Sequence, residues 1–286
     1  MSFVIVSLVL TSAVMHPLWN VLLKKYPDPQ LGYLFLTATM GLCALCHGLV
    51  VGADFSAALA VWPLIGASLC GQILYGTCLT ATLSRGDLSA YYPIIRSSPV
   101  FVVLVSFVLF GQTYPWTVLL GIFMAVTGGF MLLYRRGSRI LEDWRALALA
   151  LLAMCGTGIY SLADAGAMKT IEPQVLVALV EGPLVLFYGA LWLRQRSTRT
   201  VTPQRPGNFS WLHIILPGAL AYSSYYLILI AYQLGGDVAA VTSMRQASIP
   251  ISVLLGGLFL REGAMARRLF AAGLLALGIV VIALSD

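Results

Sequence analysis

Two arginines fall inside long apolar runs of this chain, Arg96 in the run 88–110 and Arg245 in the run 238–260. A guanidinium can hold a carboxylate, phosphate or phosphonate through paired N–H donors. Arg96 is nine residues into its run and Arg245 eight. At the rise of a helix each lies about 11–12 Å deep, too far for easy snorkelling. Three readings are open: contact with an anionic solute, structural pairing with a buried acid, or an interfacial arginine. Asp164 and Glu181 are the acids available for pairing. Asp164 comes five residues before Lys169, which places it toward the end of its run, while Glu181 is eight residues into the next run and deeper. An ionisable carboxyl in such a run is a candidate for loading and releasing a proton, or else for a static salt bridge.

Other polar groups share these runs. His16 and Asn20 are four apart, on one helical face, with Trp19 beside them and Pro17 removing a backbone hydrogen bond. They read as one wall of a binding site or as an ordinary interhelical contact. Tyr92 is four before Arg96 and faces the same side. Gln72, Tyr75 and Gln246 can add hydrogen bonds, and Tyr160, Tyr222, Tyr225 and Tyr226 read as interface residues or as contacts for a solute. Pro93, Pro99 and Pro250 fall inside the same two runs as the arginines. Each predicts a kink, static or usable as a gate.

The elements that position these groups follow from composition. Hydrophobic residues are 59% of the 286 and charged residues only 10%, against roughly 45–50% and about 25% in soluble proteins. Mean hydropathy is +0.90. Lipid must be the solvent for such a chain. The longest polar run, Arg194 to Ser210, leaves no space for a soluble catalytic domain. Apolar runs long enough to cross a bilayer recur at 3–23, 31–51, 60–84, 88–110, 115–134, 146–168, 174–193, 211–234, 238–260 and 266–284. Their length predicts helices and excludes a barrel of short alternating strands. The expected fold is an all-α integral membrane protein with ten transmembrane helices. The first run has no basic residue before it, which favours a retained helix over a signal peptide.

The basic residues lie in loops between these runs, which argues for membrane topology and against nucleic acid. Fourteen of them fall in loops after odd-numbered runs, and Lys169 alone on the opposite side. The positive-inside rule then places both termini outside the cell. The five cysteines sit in apolar runs and read as small buried hydrophobes. Cys43 to His47 matches a haem-attachment spacing, but inside a hydrophobic helix, so no haem is expected. His16, His47 and His213 are too scattered for zinc. No phosphate-binding glycine loop is present, so ATP use has no support and no cofactor is expected. Gly48 with Gly52, and Ala272 with Ala276, have the spacing of helix-packing faces.

The chain also repeats. Shifted by 144, Asn20 falls on Asp164, Lys25 on Lys169 and Pro29-Gln30 on Pro173-Gln174. Shifted by 150, Gly86-Asp87 falls on Gly236-Asp237, Gln112 on Glu262 and Gly128 on Gly278. The halves are 1–136 and 137–286, five helices each. An odd number inverts one half relative to the other, the arrangement of many secondary transporters, with the site at the interface of the halves.

One copy runs from Ala90 through Pro99 to Gly111-Gln112-Thr113, then Gly121 and Gly128-Gly129. The other runs from Ala240 through Pro250 to Arg261-Glu262-Gly263, then Gly273 and Gly278. This pattern resembles the duplicated module of the drug/metabolite transporter superfamily, EamA branch, over essentially the full length. The acid common after the fourth helix of a module is present as Glu262 and replaced by Gln112 in the first copy. The resemblance implies a ten-helix transporter of small organic solutes, with the third, fourth, eighth and ninth helices lining the cavity. It also implies cytoplasmic termini, opposite to the charge count. The expected function is a secondary transporter that moves an anionic or zwitterionic metabolite by alternating access across a bacterial cytoplasmic (inner) membrane. Its expected partners are the small-molecule solute, membrane lipid, and a proton or sodium as coupling ion. A lipid head-group flippase is the alternative. An enzyme acting on lipid head groups is less favoured, since the chain shows no cluster of nucleophile, base and metal ligands.

Overall fold

A backbone in lipid has no water to bond, so an isolated apolar run must satisfy its own N–H and C=O groups as a helix. The computed structural model describes residues 1–23, 29–83, 91, 94–133, 143–198, 211–251 and 265–285, and among them there is no strand. The helices are α1 (Phe3–Leu23), α2 (Pro29–Val51), α3 (Trp62–Leu83), α4 (Ser98–Phe110), α5 (Trp116–Leu133), α6 (Trp144–Ala167), α7 (Pro173–Thr198), α8 (Trp211–Gln233), α9 (Val238–Met244) and α10 (Met265–Leu284). Five of them, α2, α3, α6, α7 and α8, are long and apolar enough to cross a membrane. Large apolar side chains such as Phe107, Phe123 and Leu186 are exposed on the outside. The chain is an all-α membrane protein.

Two runs do not form the single helices expected of them. In the run 88–110, Arg96 and Ser97 form a turn and α4 begins only at Ser98. In the run 238–260, α9 ends at Met244, Arg245–Ala247 tighten into a 3-10 turn, and helical geometry resumes over 248–251. Pro99 therefore opens a helix rather than kinking one. It occupies the first turn of α4, where a missing N–H is not needed. Pro250 lies in the resumed helix, half-buried. Pro93 lies outside the described residues.

Polar caps hold the helix ends. Asp143 accepts from the backbone N–H groups of Arg145 and Ala146 at 3.0 and 3.1 Å at the start of α6. Asp237 caps α9 through Ala240 N–H at 2.9 Å, and its other oxygen accepts from Gln112 Nε2 at 2.9 Å. That bond ties the α4–α5 junction to the α8–α9 junction. Asp54 accepts from the hydroxyl and backbone N–H of Ser56 at 2.6 and 2.8 Å, and these bonds hold its carboxyl below the usual range.

The most extensive helix contacts join α3 to α6, α5 to α10, α1 to α8, and α2 to α7. Glycine permits the tightest of them. A methyl at Gly71 would lie 2.7 Å from Tyr160 N, and one at Gly156 the same distance from Tyr75 N. Across α5 and α10, a methyl at Gly128 would lie 2.6 Å from Leu275 N, and one at Gly278 2.6 Å from Ala125 N. The packing faces expected at Gly48/Gly52 and Ala272/Ala276 differ. Gly48 meets the ring of Phe55, while Gly52, with φ of +70°, ends α2 and touches nothing. Ala276 is exposed, and Ala271 and Leu275 fill the α10 contact instead. The cysteines also correct an expectation: Cys78 is buried, but Cys46 and Cys70 are exposed on the apolar surface.

Candidate binding cleft at the two arginines

Both arginines occupy the interruptions just described, Arg96 before α4 and Arg245 after α9. A helix break frees backbone groups and lets a long side chain leave the helix axis. Arg96 Nη2 donates to Ser248 Oγ at 2.9 Å, and Ser248 Oγ donates to the carbonyl of Arg245 at 2.9 Å. Arg96 Nε is buried with no hydrogen-bond partner among the described residues. The two arginines, Ser248, and Ser12, Ala13 and His16 of α1 line one small cleft. Its volume is about 10 Å³, room for about one water. An organic solute therefore needs the surrounding helices to part.

The walls are tied to the rest of the bundle. Ser12 Oγ donates to Ser224 O at 2.7 Å, and Ser224 Oγ returns a bond to Ser12 O at 3.0 Å, clamping α1 to α8. His16 meets Trp19 edge to face at 4.9 Å, and both arginines act on it electrostatically. Trp19 Nε1 is buried without a hydrogen-bond partner among the described residues. Arg245 lies in electrostatic reach of Tyr160, Tyr225 and Tyr232.

Asp164 is wholly buried. Its face of α6 packs on α3 and α8. One carboxylate oxygen accepts from Ser68 Oγ at 2.5 Å, and the other accepts from Tyr225 OH. Arg245 is close enough to act on it electrostatically. Glu181, on α7, is only 4% exposed. A methyl at Gly41 of α2 would lie 3.2 Å from its Cβ. It makes no hydrogen bond with any described residue.

The remaining candidates scatter. Tyr75 meets Tyr160 edge to face at 6.3 Å, one ring away from Arg245. Gln72 is half-buried on α3 and is not part of the cleft wall. Gln246 turns away from it: a methyl at Gly129 of α5 would lie 2.9 Å from its Oε1, and its Nε2 is buried without a partner among the described residues. Asn20 belongs to α1, and its side chain, like Tyr92 and Pro93, lies outside the described residues. Sequence reasoning missed Ser12, Ser68, Ser224 and Ser248. Only Ser248 carried a signal, three residues after Arg245; serine is otherwise common in apolar helices. His47 of the haem-like spacing bonds Tyr222 OH through Nδ1 at 2.7 Å.

The class these features define is an all-α membrane protein with ionisable groups gathered inside the bundle. No family model and no curated protein matches the chain. Among solved structures, one described only as the crystal structure of a protein is similar over 98% of this chain and 97% of its own, at 19% identity and a TM-score of 0.76. That likeness shows a shared fold.

Proposed function

We propose that the protein is a secondary transporter of a small organic metabolite, and that the solute's anionic group binds between Arg96 and Arg245. The observation that carries this reading is the convergence of two arginines, His16, Ser12 and Ser248 on one buried cleft. Arg96 bonds a neutral hydroxyl there and keeps Nε without a partner among the described residues, so it retains donors for an anion. Both arginines sit at interrupted helices, which is how many transporters expose backbone and charge to a solute.

We further read the chain as ten spans in two inverted five-helix repeats, with halves at 1–136 and 137–286. The helix contacts support this. Exchanging each helix of one half for its counterpart turns the α3–α6 contact into α8–α1, and leaves α2–α7 and α5–α10 unchanged. Alternating access would rock the two halves and widen the cleft from one side at a time. The resemblance to the drug/metabolite transporter superfamily fits the same architecture, and a bacterial inner membrane is its proposed location. Asp164 and Glu181 are its proton-coupling candidates.

Ligand-induced thermal stabilisation of the purified protein tests the reading. A carboxylate or phosphonate solute is expected to raise the unfolding temperature of wild type and to lose that effect in both Arg96→Ala and Arg245→Ala. Stabilisation that survives both substitutions, or that only a lipid produces, would replace it.

A further inference from the structure

His16 brings to the arginine cleft the one side chain there that can change its charge near neutral pH. It comes from α1, while Arg96 precedes α4 and Arg245 follows α9, yet all three border the same space. That space is only about 10 Å³, the room of about one water. Walls so close meet on whichever atom enters between them. An anionic oxygen held by the guanidiniums therefore also meets the imidazole. A guanidinium stays charged throughout, whereas an imidazole ordinarily gains or loses its proton between about pH 5 and 8. A third positive charge beside two guanidiniums is repelled, and an anion among them offsets that repulsion. Solute and proton then favour each other's binding, by the same factor in both directions.

The other ionisable groups do not share this position. α1 carries no second one. Of the elements packed against α1, the 3-10 turn brings Arg245 and α9 brings none. From α2 come Tyr33, Cys43, Cys46 and His47, and from α8 come Tyr222, Tyr225, Tyr226 and Tyr232. His213 is also on α8, with its side chain outside the described residues. None of these α2 and described α8 groups borders the cleft. Two of the tyrosines are engaged elsewhere, Tyr222 with His47 at 2.7 Å and Tyr225 with Asp164. Asp164 and Glu181 do not border the cleft either. We propose that His16 carries the coupling proton. A ring nitrogen takes it from water as the anion binds, forming an N–H bond, and returns it to water when the anion leaves on the other side. Anion and proton thus cross together. This inference rests on the arginine reading.

The test is acetate binding to the full chain in detergent at constant ionic strength, with chloride as the reference at each pH. Binding is read as the shift in unfolding temperature from about pH 6 to about pH 8, the span in which imidazole ionises. Acetate stays ionised across it. The acetate concentration that gives a set shift in wild type is expected to rise at least about fivefold over this span. Adding acetate to weakly buffered wild type is expected to draw protons from solution, seen with a pH-indicator dye. His16→Gln is expected to lose both effects, and His16→Asn serves should that variant fail to fold. Acetate binding without proton uptake in wild type overturns the assignment. So does a pH dependence that persists in the His16 variants, and its loss in Glu181→Gln would move the proton to Glu181. In either case, acetate binding that both Arg96→Ala and Arg245→Ala abolish keeps the arginine reading. Binding that survives both arginine substitutions removes that reading and this inference with it.

Discussion

Asp164 and Glu181 lie on consecutive helices, both buried, yet their neighbourhoods differ in kind. Asp164 accepts from Ser68 and Tyr225 and has Arg245 within electrostatic reach. Glu181 lies against Gly41 and makes no hydrogen bond with the described residues. Burial alone therefore does not assign a role to an intramembrane acid. The bonds that satisfy Asp164 join α3, α6 and α8. Glu181, without such bonds among the described residues, is left available to a proton.

The contrast can be broken by substitution. Asp164→Ala is expected to have the largest effect, destabilising by about 2–5 kcal/mol, because it leaves the buried hydroxyls of Ser68 and Tyr225 without their acceptor. Thermal unfolding in detergent measures this, and an unchanged transition would remove the distinction between the two acids. Tyr225→Phe sharpens it. Losing one of the two hydroxyl bonds to Asp164 is expected to cost about 1–3 kcal/mol, less than losing the carboxylate. The smallest effect is expected of Glu181→Gln, within about 1 kcal/mol of wild type in the absence of solute, or stabilising, since a neutral amide is easier to bury than an unpaired charge. A loss as large as that of Asp164→Ala would show that Glu181 has a structural partner.

Much of the architecture was readable beforehand. The runs 60–84 and 115–134 became α3 (Trp62–Leu83) and α5 (Trp116–Leu133), because apolar runs in lipid have few backbone options. Arg96 and Arg245 stood out for the same reason, as charges where a charge is expensive. The interruptions around them were not readable. Pro99 in a continuous run suggests a kink, and only the turn at Arg96–Ser97 makes it the start of a helix. Counting along the sequence placed Asp164 toward the end of its run, but it could not show that α6 buries this position against two neighbours.

Composition and run length by themselves determined that this chain is helical in lipid, and which side chains must be explained there. They could not decide which of those side chains are satisfied. Asp164 depends on Ser68, 96 residues away, and on Tyr225, 61 residues away. A hydrogen bond reaches only about 3 Å. Which donors arrive within it is set by how helices cross, and the crossings are set by where glycines such as Gly71 and Gly156 let two backbones touch.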